Sequence, residues 1–440
     1  MNILIITTYY PPDTAIAAVR PYMFAKYLSL MGHRVTVLRS GEINTGTDTS
    51  GAYSSDAVKV YSYMGKDSPA ERFAHGEVVV VPAGKSRASF LPKNLQKAAG
   101  KLYHSVFTQR EFRMRMERAN EKFAMQKNFL HSLKDGGSTF DVVFATFGEL
   151  ENVYAGEYAA KLFGCKYILD FRDLLATETF SKGKRYRTLR DIQKRAILSA
   201  DVCTCVSEGA SDELREQVPE KQIVTLYNGY EPLEQERIVK SVKQNELSFC
   251  YTGQLYSGLS DASQLFYALS ENCNEGKMSK ENLRFYYAGK GFQKLYEQAE
   301  TYGMESILVD MGYLDRREIQ VLQASSDIFT VLSWNTHQAH GILTGKFYEG
   351  IRCGKPILAI ISGDEANSEL NIMNEKYHYG FCYEAANDAQ DFENLKKWIL
   401  SAYQAKVSGQ TPTYEATPEF SQDFRYDNLA KRLDEIISSL

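Results

Sequence analysis

The sequence predicts an α/β chain of two similar domains, each built on a doubly wound parallel sheet, with a closing helix at the C-terminus. Three observations carry this. A chain of 440 residues exceeds what one ordinary hydrophobic core covers, so two domains of about 200 residues each are expected. Short β-branched runs alternate with helical patterns, an order that calls for right-handed crossovers and parallel strand pairing. The alternation then restarts after a charged stretch around 233–246 that buries little and reads as a linker.

In the first unit, 3–8 (ILIITT) is a buried strand, 17–31 has helical periodicity with Gly32 at the C-cap, and 35–38 (VTVL) is the next strand. Further strands are expected at 58–63, 142–146, 166–171 and 202–206, with helices at about 152–163, 186–199 and 208–217. In the second unit the strands are 247–252, 284–289, 306–310, 327–332 and 356–360. The last stretch, about 421–439, repeats Leu429, Leu433, Ile436, Ile437 and Leu440 at helical spacing and offers one apolar face to something already folded. The expected division is a first domain at 1–232, a second at 246–412, and a closing segment at 413–440 that packs back toward the first.

Composition narrows the function. A net charge of −4 argues against a general nucleic-acid binder. Seven cysteines, an odd number scattered through apolar runs, read as buried thiols in a reducing compartment, and Cys203 and Cys205 lack metal-site spacing. The opening MNILIITTYYPP has no basic region and too short an apolar run for a signal peptide or a membrane span. The expected location is the cytoplasm.

The most informative stretch is HQAHGILTGKFYEGIRCGKPILAI, 337–360. It leads from a loop after one strand, through a short helix capped by Gly354, into the next strand. Thr344 stands at the N-cap, and Gly345 and Lys346 open the helix, so a hydroxyl, backbone amides and an ammonium converge on one helix start. That is a cradle for a diphosphate. Its plain alternative is a capped helix with an ordinary ion pair between Lys346 and Glu349. TGKFYEGIRCGKPILAI resembles the donor-binding signature of the retaining family 4 glycosyltransferases, in the branch that builds bacterial capsule and lipopolysaccharide. The resemblance extends over nearly the whole chain, and this segment is its one highly specific part. It implies the GT-B fold, two Rossmann-like domains facing a cleft, and transfer from a nucleotide-diphosphate sugar, with a uridine nucleotide expected. It further implies that Glu349 accepts hydrogen bonds from the ribose hydroxyls and that Lys346 steadies the leaving diphosphate. No metal or other cofactor is implied. One departure stands out: the family's Glu-x7-Glu pair would begin at 341, where this chain has Gly341.

Other segments resemble the same family. The opening strand, Tyr-Pro-Pro loop, Arg20, helix and Gly-His-x-Val pattern matches its N-terminus, and Arg20 is expected to contact donor phosphate or acceptor, or else to make a surface ion pair. His33 is expected to close the turn before the second strand. YILDFRDLL, 167–175, places Asp170, Arg172 and Asp173 at a strand end, for acceptor-hydroxyl contact or for a bidentate pair that shapes the cleft. Ser207 should cap the following helix. In YTGQLYSGLSD a basic pair common in the family is missing, so Lys346 with Arg316 or Arg317 would carry the positive charge. Gly253, and Gly289 with Gly291, would let backbone approach the nucleotide, GYLDRRE (312–318) resembles the base-binding loop, and His340 is a lesser phosphate or sugar contact.

Between Lys85 and Lys122 ten Lys and Arg stand against three Glu, with Phe90, Leu102 and Phe107 among them. This reads either as a solvated helix pair or as a face attracted to anionic lipid. A saccharide or undecaprenyl-type lipid-linked acceptor would suit the second reading. The rival functions are a nucleotide-sugar epimerase of the same shape and a non-catalytic nucleotide-sugar-binding subunit.

Overall fold

The structure, a computed structural model, describes residues 1–13, 15–40, 58–63, 93–177, 183–232, 245–255 and 258–440, with backbone alone over 93–111. The segment 85–92 of the basic stretch and all of the charged linker except 245–246 lie outside the described residues.

The first sheet is formed by β1 (Asn2–Thr7), β2 (Arg34–Arg39), β3 (Val58–Ser62), β4 (Val142–Phe147), β5 (Lys166–Phe171), β6 (Val202–Cys205) and β7 (Ile223–Thr225). Its spatial order is β3-β2-β1-β4-β5-β6-β7, and every pairing is parallel. The chain runs outward one way from β1 and the other way from β4, so a topological switch point lies between them, the place where such sheets bind ligands beyond their strand ends. Alternation along β1 builds two cores. Leu4 and Ile6 face a layer made by α2 (Lys93–Asp135), α3 (Leu150–Phe163) and α4 (Gly183–Ser199), while Ile3 and Ile5 face α1 (Val19–Leu30). Two features differ from expectation. Residues 93–122 of the basic stretch belong to one continuous helix of 43 residues, and two edge strands stand where none was expected, β7 after α5 (Glu208–Gln217) and the strand Gly380–Glu384 of the second sheet.

The second sheet has β8 (Leu247–Thr252), β9 (Leu283–Ala288), β10 (Leu308–Asp310), β11 (Ile328–Trp334), β12 (Ile357–Ser362) and β13 (Gly380–Glu384), in the order β10-β9-β8-β11-β12-β13. It too is parallel throughout, with its switch point between β8 and β11. Its helices are α6 (Ser263–Asn274), α7 (Phe292–Glu300), α8 (Arg316–Ser325), α9 (Gly345–Cys353), α10 (Glu369–Tyr377) and α11 (Asp388–Val407).

The chain then returns through α12 (Pro418–Asp423) to α13 (Tyr426–Ser438). Leu429, Leu433 and Ile437 of α13 are buried with Phe24 and Leu28 of α1, and each such side chain contributes about 1.5–3 kcal/mol over leaving it exposed. The outgoing and returning chains run side by side: the Tyr230 amide donates to Phe424 O and the Tyr426 amide to Tyr230 O. A side chain at 229 would stand 2.4 Å from Phe424 O, so this crossing requires Gly229. All seven cysteines are free thiols, and burial pushes Cys203 and Cys205 up to about 12.

Candidate active site at the two switch points

In the second domain, the ends of β8, β9 and β10 are stacked loops with almost no side-chain volume. The Gly253 amide donates to Ala288 O, and the Gly289 amide to Gly312 O. A Cβ on Gly289 would stand 2.1 Å from Gly253 O, and one on Gly253 would stand 2.7 Å from Lys346 Cε. Both glycines have positive φ, +146° and +136°, so nothing larger fits either the space or the backbone. Gly253 and Gly289 are therefore brought together, with the Lys346 stem lying across them.

Helix α9 begins across the switch point. Thr344 holds the N-cap position with φ −76° and ψ 155°, but its side chain makes no capping bond. Its hydroxyl oxygen is enclosed and without a partner. The expected hydroxyl cap is thus absent: the Thr344 carbonyl takes the Phe347 amide, and among the described residues the Gly345 and Lys346 amides bond to nothing. A buried, unpaired hydroxyl beside unpaired amides costs free energy unless a ligand supplies the acceptor.

Lys346 Nζ lies 2.8 Å from Glu349 Oε1, so the plain ion pair does form. The other oxygen, Oε2, accepts from Gln323 Nε2 at 2.6 Å and stands 3.5 Å from Thr252 Oγ1. Gln323 Nε2 also donates to Thr252 Oγ1, while its Oε1 accepts from Arg352 and is 3.7 Å from Cys353 Sγ. Gln323 is fully buried and fixes the carboxylate of Glu349, a role that sequence reading missed. Its one signal was a polar residue next to Leu322 on the inward face of α8. Arg316 opens α8 behind a capping box of Asp315 and Glu318, and it is exposed with no ion pair among the described residues. His340 is exposed too, its ring nitrogen 3.0 Å from His337 O.

The first domain corrects two expectations. Arg20 is 2 % exposed and Asp170 is 0 % exposed. Arg20 Nε and Nη2 grip both oxygens of Asp170, at 2.9 and 2.7 Å. Its remaining N–H groups go to Leu226 O, Tyr227 O and Asn228 Oδ1. All five donors are used, so Arg20 has none left for a phosphate. Asp170 also accepts from Thr204 Oγ1 and faces no solvent, so it cannot touch an acceptor. The expected bidentate pair exists, but it joins Asp170 to Arg20 and ties α1 to the ends of β5 and β7. Arg172 differs. It is partly exposed, and among the described residues its one hydrogen bond goes to Ala17 O at 2.9 Å. Its Nη1 lies about 4.0 Å from where a Cβ on Gly148 would be, at the end of β4. Burial lowers its guanidinium pKa, opposed by Asp170 and Asp173, neither of which pairs with it. Among the described residues Arg172 therefore has no carboxylate partner, and it stands at the end of β5 beside the switch point. His33 lies between the N-terminal amine and Asp434, at 3.2 and 2.8 Å. Ser207 caps α5 by accepting from the Ala210 amide, as expected.

The two domains meet along one seam. Ile16 is within 3.7 Å of the Cβ position of Gly345. Gly341 and Gly209 touch backbone to backbone: a Cβ on Gly209 would stand 2.8 Å from Gly341 Cα. Glu369, at the start of α10, reaches over and accepts the Glu208 and Gly209 amides at 2.7 and 3.2 Å, capping α5 of the other domain. Burial raises the pKa of Glu369, and those two amides and the Tyr227 hydroxyl pull it back. Gly341 is thus glycine for a physical reason: the other domain's helix start fills the space a side chain would need.

The sequence matches no protein-family profile and no curated protein. Similar solved structures are numerous. Sucrose-phosphate synthase from Thermosynechococcus elongatus is 12% identical, covering 100% of this chain and 98% of that one, with a TM-score of 0.62. The lipopolysaccharide outer core galactosyltransferase WaaB is 12% identical over 100% of both chains, with a TM-score of 0.58. A suspected UDP-N-acetylglucosamine 2-epimerase from Listeria monocytogenes is 12% identical, covering 100% and 96%, with a TM-score of 0.50. At these identities the likeness speaks to architecture alone, and together with two all-parallel sheets it establishes that this chain has the GT-B fold.

Proposed function

We propose that the protein transfers a sugar, with retention, from a nucleotide-diphosphate donor to a saccharide or undecaprenyl-type lipid-linked acceptor in bacterial surface-polysaccharide synthesis. The observation that carries this reading is the start of α9: two unbonded amides, an unpaired enclosed hydroxyl and the Lys346 ammonium at one switch point, over a floor of bare glycine backbone. A diphosphate satisfies all of these at once. Glu349, held by Gln323 and Thr252, then takes the ribose hydroxyls of a uridine nucleotide. Lys346 and the helix start stabilise the charge that develops on the leaving diphosphate, while the acceptor attacks the same sugar face. In this reading Arg316, exposed at the start of α8, is an outer contact to the donor, and Arg172 is the cation offered by the first domain. Lys346 supplies the positive charge, so no metal is required.

A lipid-linked acceptor would place the enzyme in the cytoplasm, at the inner face of the plasma membrane. Among the described residues no helix is long and apolar enough to cross a membrane. The names of the structural neighbours support sugar transfer as the activity, since two of the three are a synthase and a transferase of sugars.

The test is incubation with a panel of UDP-, ADP- and GDP-sugars, with and without a saccharide or lipid-diphosphate acceptor, followed by proton NMR. A transferase yields a glycoside with the donor's anomeric configuration. Formation of a second nucleotide sugar without acceptor would make the protein an epimerase, and donor binding with no turnover would make it a binding subunit.

A further inference from the structure

We propose that Glu369 is a positioning residue for the donor site: it joins the start of α5 in the first domain to the loop that leads into α9 in the second, and so sets where the α9 start stands. This rests on reading the α9 start as the place where the diphosphate lies. The carboxylate is 8 % exposed and sits in the first turn of α10, yet its own helix is already capped, because Ser368 Oγ accepts the Asn371 amide. It serves α5 instead, taking the Glu208 and Gly209 amides at 2.7 and 3.2 Å, while Ser207 takes the Ala210 amide from within the first domain. The cap of α5 is therefore shared between the two domains.

Bonds and contacts run from this joint into both domains. Toward the first domain, the Tyr227 hydroxyl bonds to Glu369, Arg20 Nη1 donates to Tyr227 O at 2.7 Å, and Arg20 grips Asp170 at the end of β5. The buried Arg20–Asp170 pair thus anchors a partner of the carboxylate. Toward the second domain, a Cβ on Gly341 would meet Glu369 Oε2, Gly209 Cα and Ser207 Oγ, each at 2.9 Å, so the loop lies directly on the bridged turn. Gly341 precedes Thr344 by three residues, at most about 11 Å of chain. Ser333 Oγ donates to Ile342 O at 3.2 Å, which ties the same short run to the end of β11. Ile16 of the first domain, within 3.7 Å of the Cβ position of Gly345, touches the helix start itself. So short and tethered a run has little slack, and a shift of α5 is passed to the Gly345 and Lys346 amides. Carboxylate–amide bonds are charge-assisted, and a carboxylate buried without them is costly, which keeps the joint shut.

The experiment uses the full chain and measures UDP binding by calorimetry, with hydrogen exchange at 208–211 followed with and without UDP. Glu369→Asp, Glu369→Gln and Glu369→Ala are compared with the parent, and thermal unfolding confirms that each is folded. Glu369→Asp keeps the charge at the start of α10 but falls one methylene short of α5. Glu369→Gln keeps the reach and one acceptor oxygen. UDP affinity is expected to fall at least about tenfold in Glu369→Asp and Glu369→Ala, with Glu369→Gln between them and the parent. In the parent UDP should slow exchange at 208–211, because a joint that favours the nucleotide is favoured by it, and in Glu369→Ala that slowing should vanish. Parent-like UDP affinity in the folded variants, Glu369→Asp binding as tightly as the parent, or exchange in the parent indifferent to bound UDP overturns the proposal and leaves the donor site standing. A parent that binds no UDP removes the reading of the donor site, and the proposal with it.

Discussion

Gly341 occupies the position where the resemblance noted in the sequence would place the first carboxylate of a pair, and a natural guess is that Gly341→Glu restores a lost function. The geometry predicts the reverse. Gly341 has φ +65°, and a Cβ there would lie 2.9 Å from Glu369 Oε2, from Gly209 Cα and from Ser207 Oγ. Placing any L-residue in that left-handed conformation costs about 1–2 kcal/mol. Forcing a methyl group against backbone in contact adds about 1–3 kcal/mol. Gly341→Ala is therefore expected to cost about 2–5 kcal/mol, more if Glu369 is driven off the Glu208 and Gly209 amides. Because every atom it meets belongs to the other domain or to Glu369, the penalty falls on the contact between domains, not on either core. Small-angle scattering should show a larger radius of gyration for Gly341→Ala and Gly341→Glu, with transfer reduced in both. A parent-like radius of gyration, or faster transfer by Gly341→Glu, would refute the reasoning.

Other perturbations read other parts of the structure. Arg20→Ala leaves Asp170 buried without its partner and should destabilise the protein by about 3–5 kcal/mol in chemical unfolding, while the conservative Asp170→Asn, which keeps an acceptor, should cost less. Glu275, bonded by Lys277 and Lys396, has its pKa lowered from 4.5 to about 2. Its stabilisation is present above about 4.5 and is lost as pH falls through about 2, so Glu275→Gln should flatten the fall in thermal stability across that window. Turnover should survive EDTA, and a loss restored by Mg²⁺ or Mn²⁺ would count against Lys346 as the charge that steadies the leaving group.

The strands were legible because each is a short β-branched run between turn signals, and β5 and β8 start and stop where the sequence places them. The two unread strands, β7 and β13, lie at sheet edges, and β7 has three residues, too few for a period to show. The glycine floor and the α9 start were readable from local spacing, since Thr344, Gly345, Lys346 and Glu349 are neighbours on one helix. Arg20 and Asp170 were not, because 150 positions separate them and each alone looks like a free charge at a strand end. Glu369 was hidden differently: Ser368-Glu369 reads as an ordinary helix opening, and Ser368 does cap α10, while the carboxylate serves a helix in the other domain. Partners across a cleft leave no trace in local pattern.

The most direct measurement is calorimetric titration of the parent and of Glu349→Ala with UDP and with pyrophosphate. If the nucleotide lies over Gly253 and Gly289 with its ribose on Glu349, removing the carboxylate should cost about 1–3 kcal/mol, or about 5- to 150-fold in UDP affinity. Pyrophosphate, which has no ribose, should bind Glu349→Ala as well as the parent or better, because Lys346 is released from its 2.8 Å ion pair. UDP bound equally by both proteins, or by neither, would contradict a nucleotide site at the start of α9.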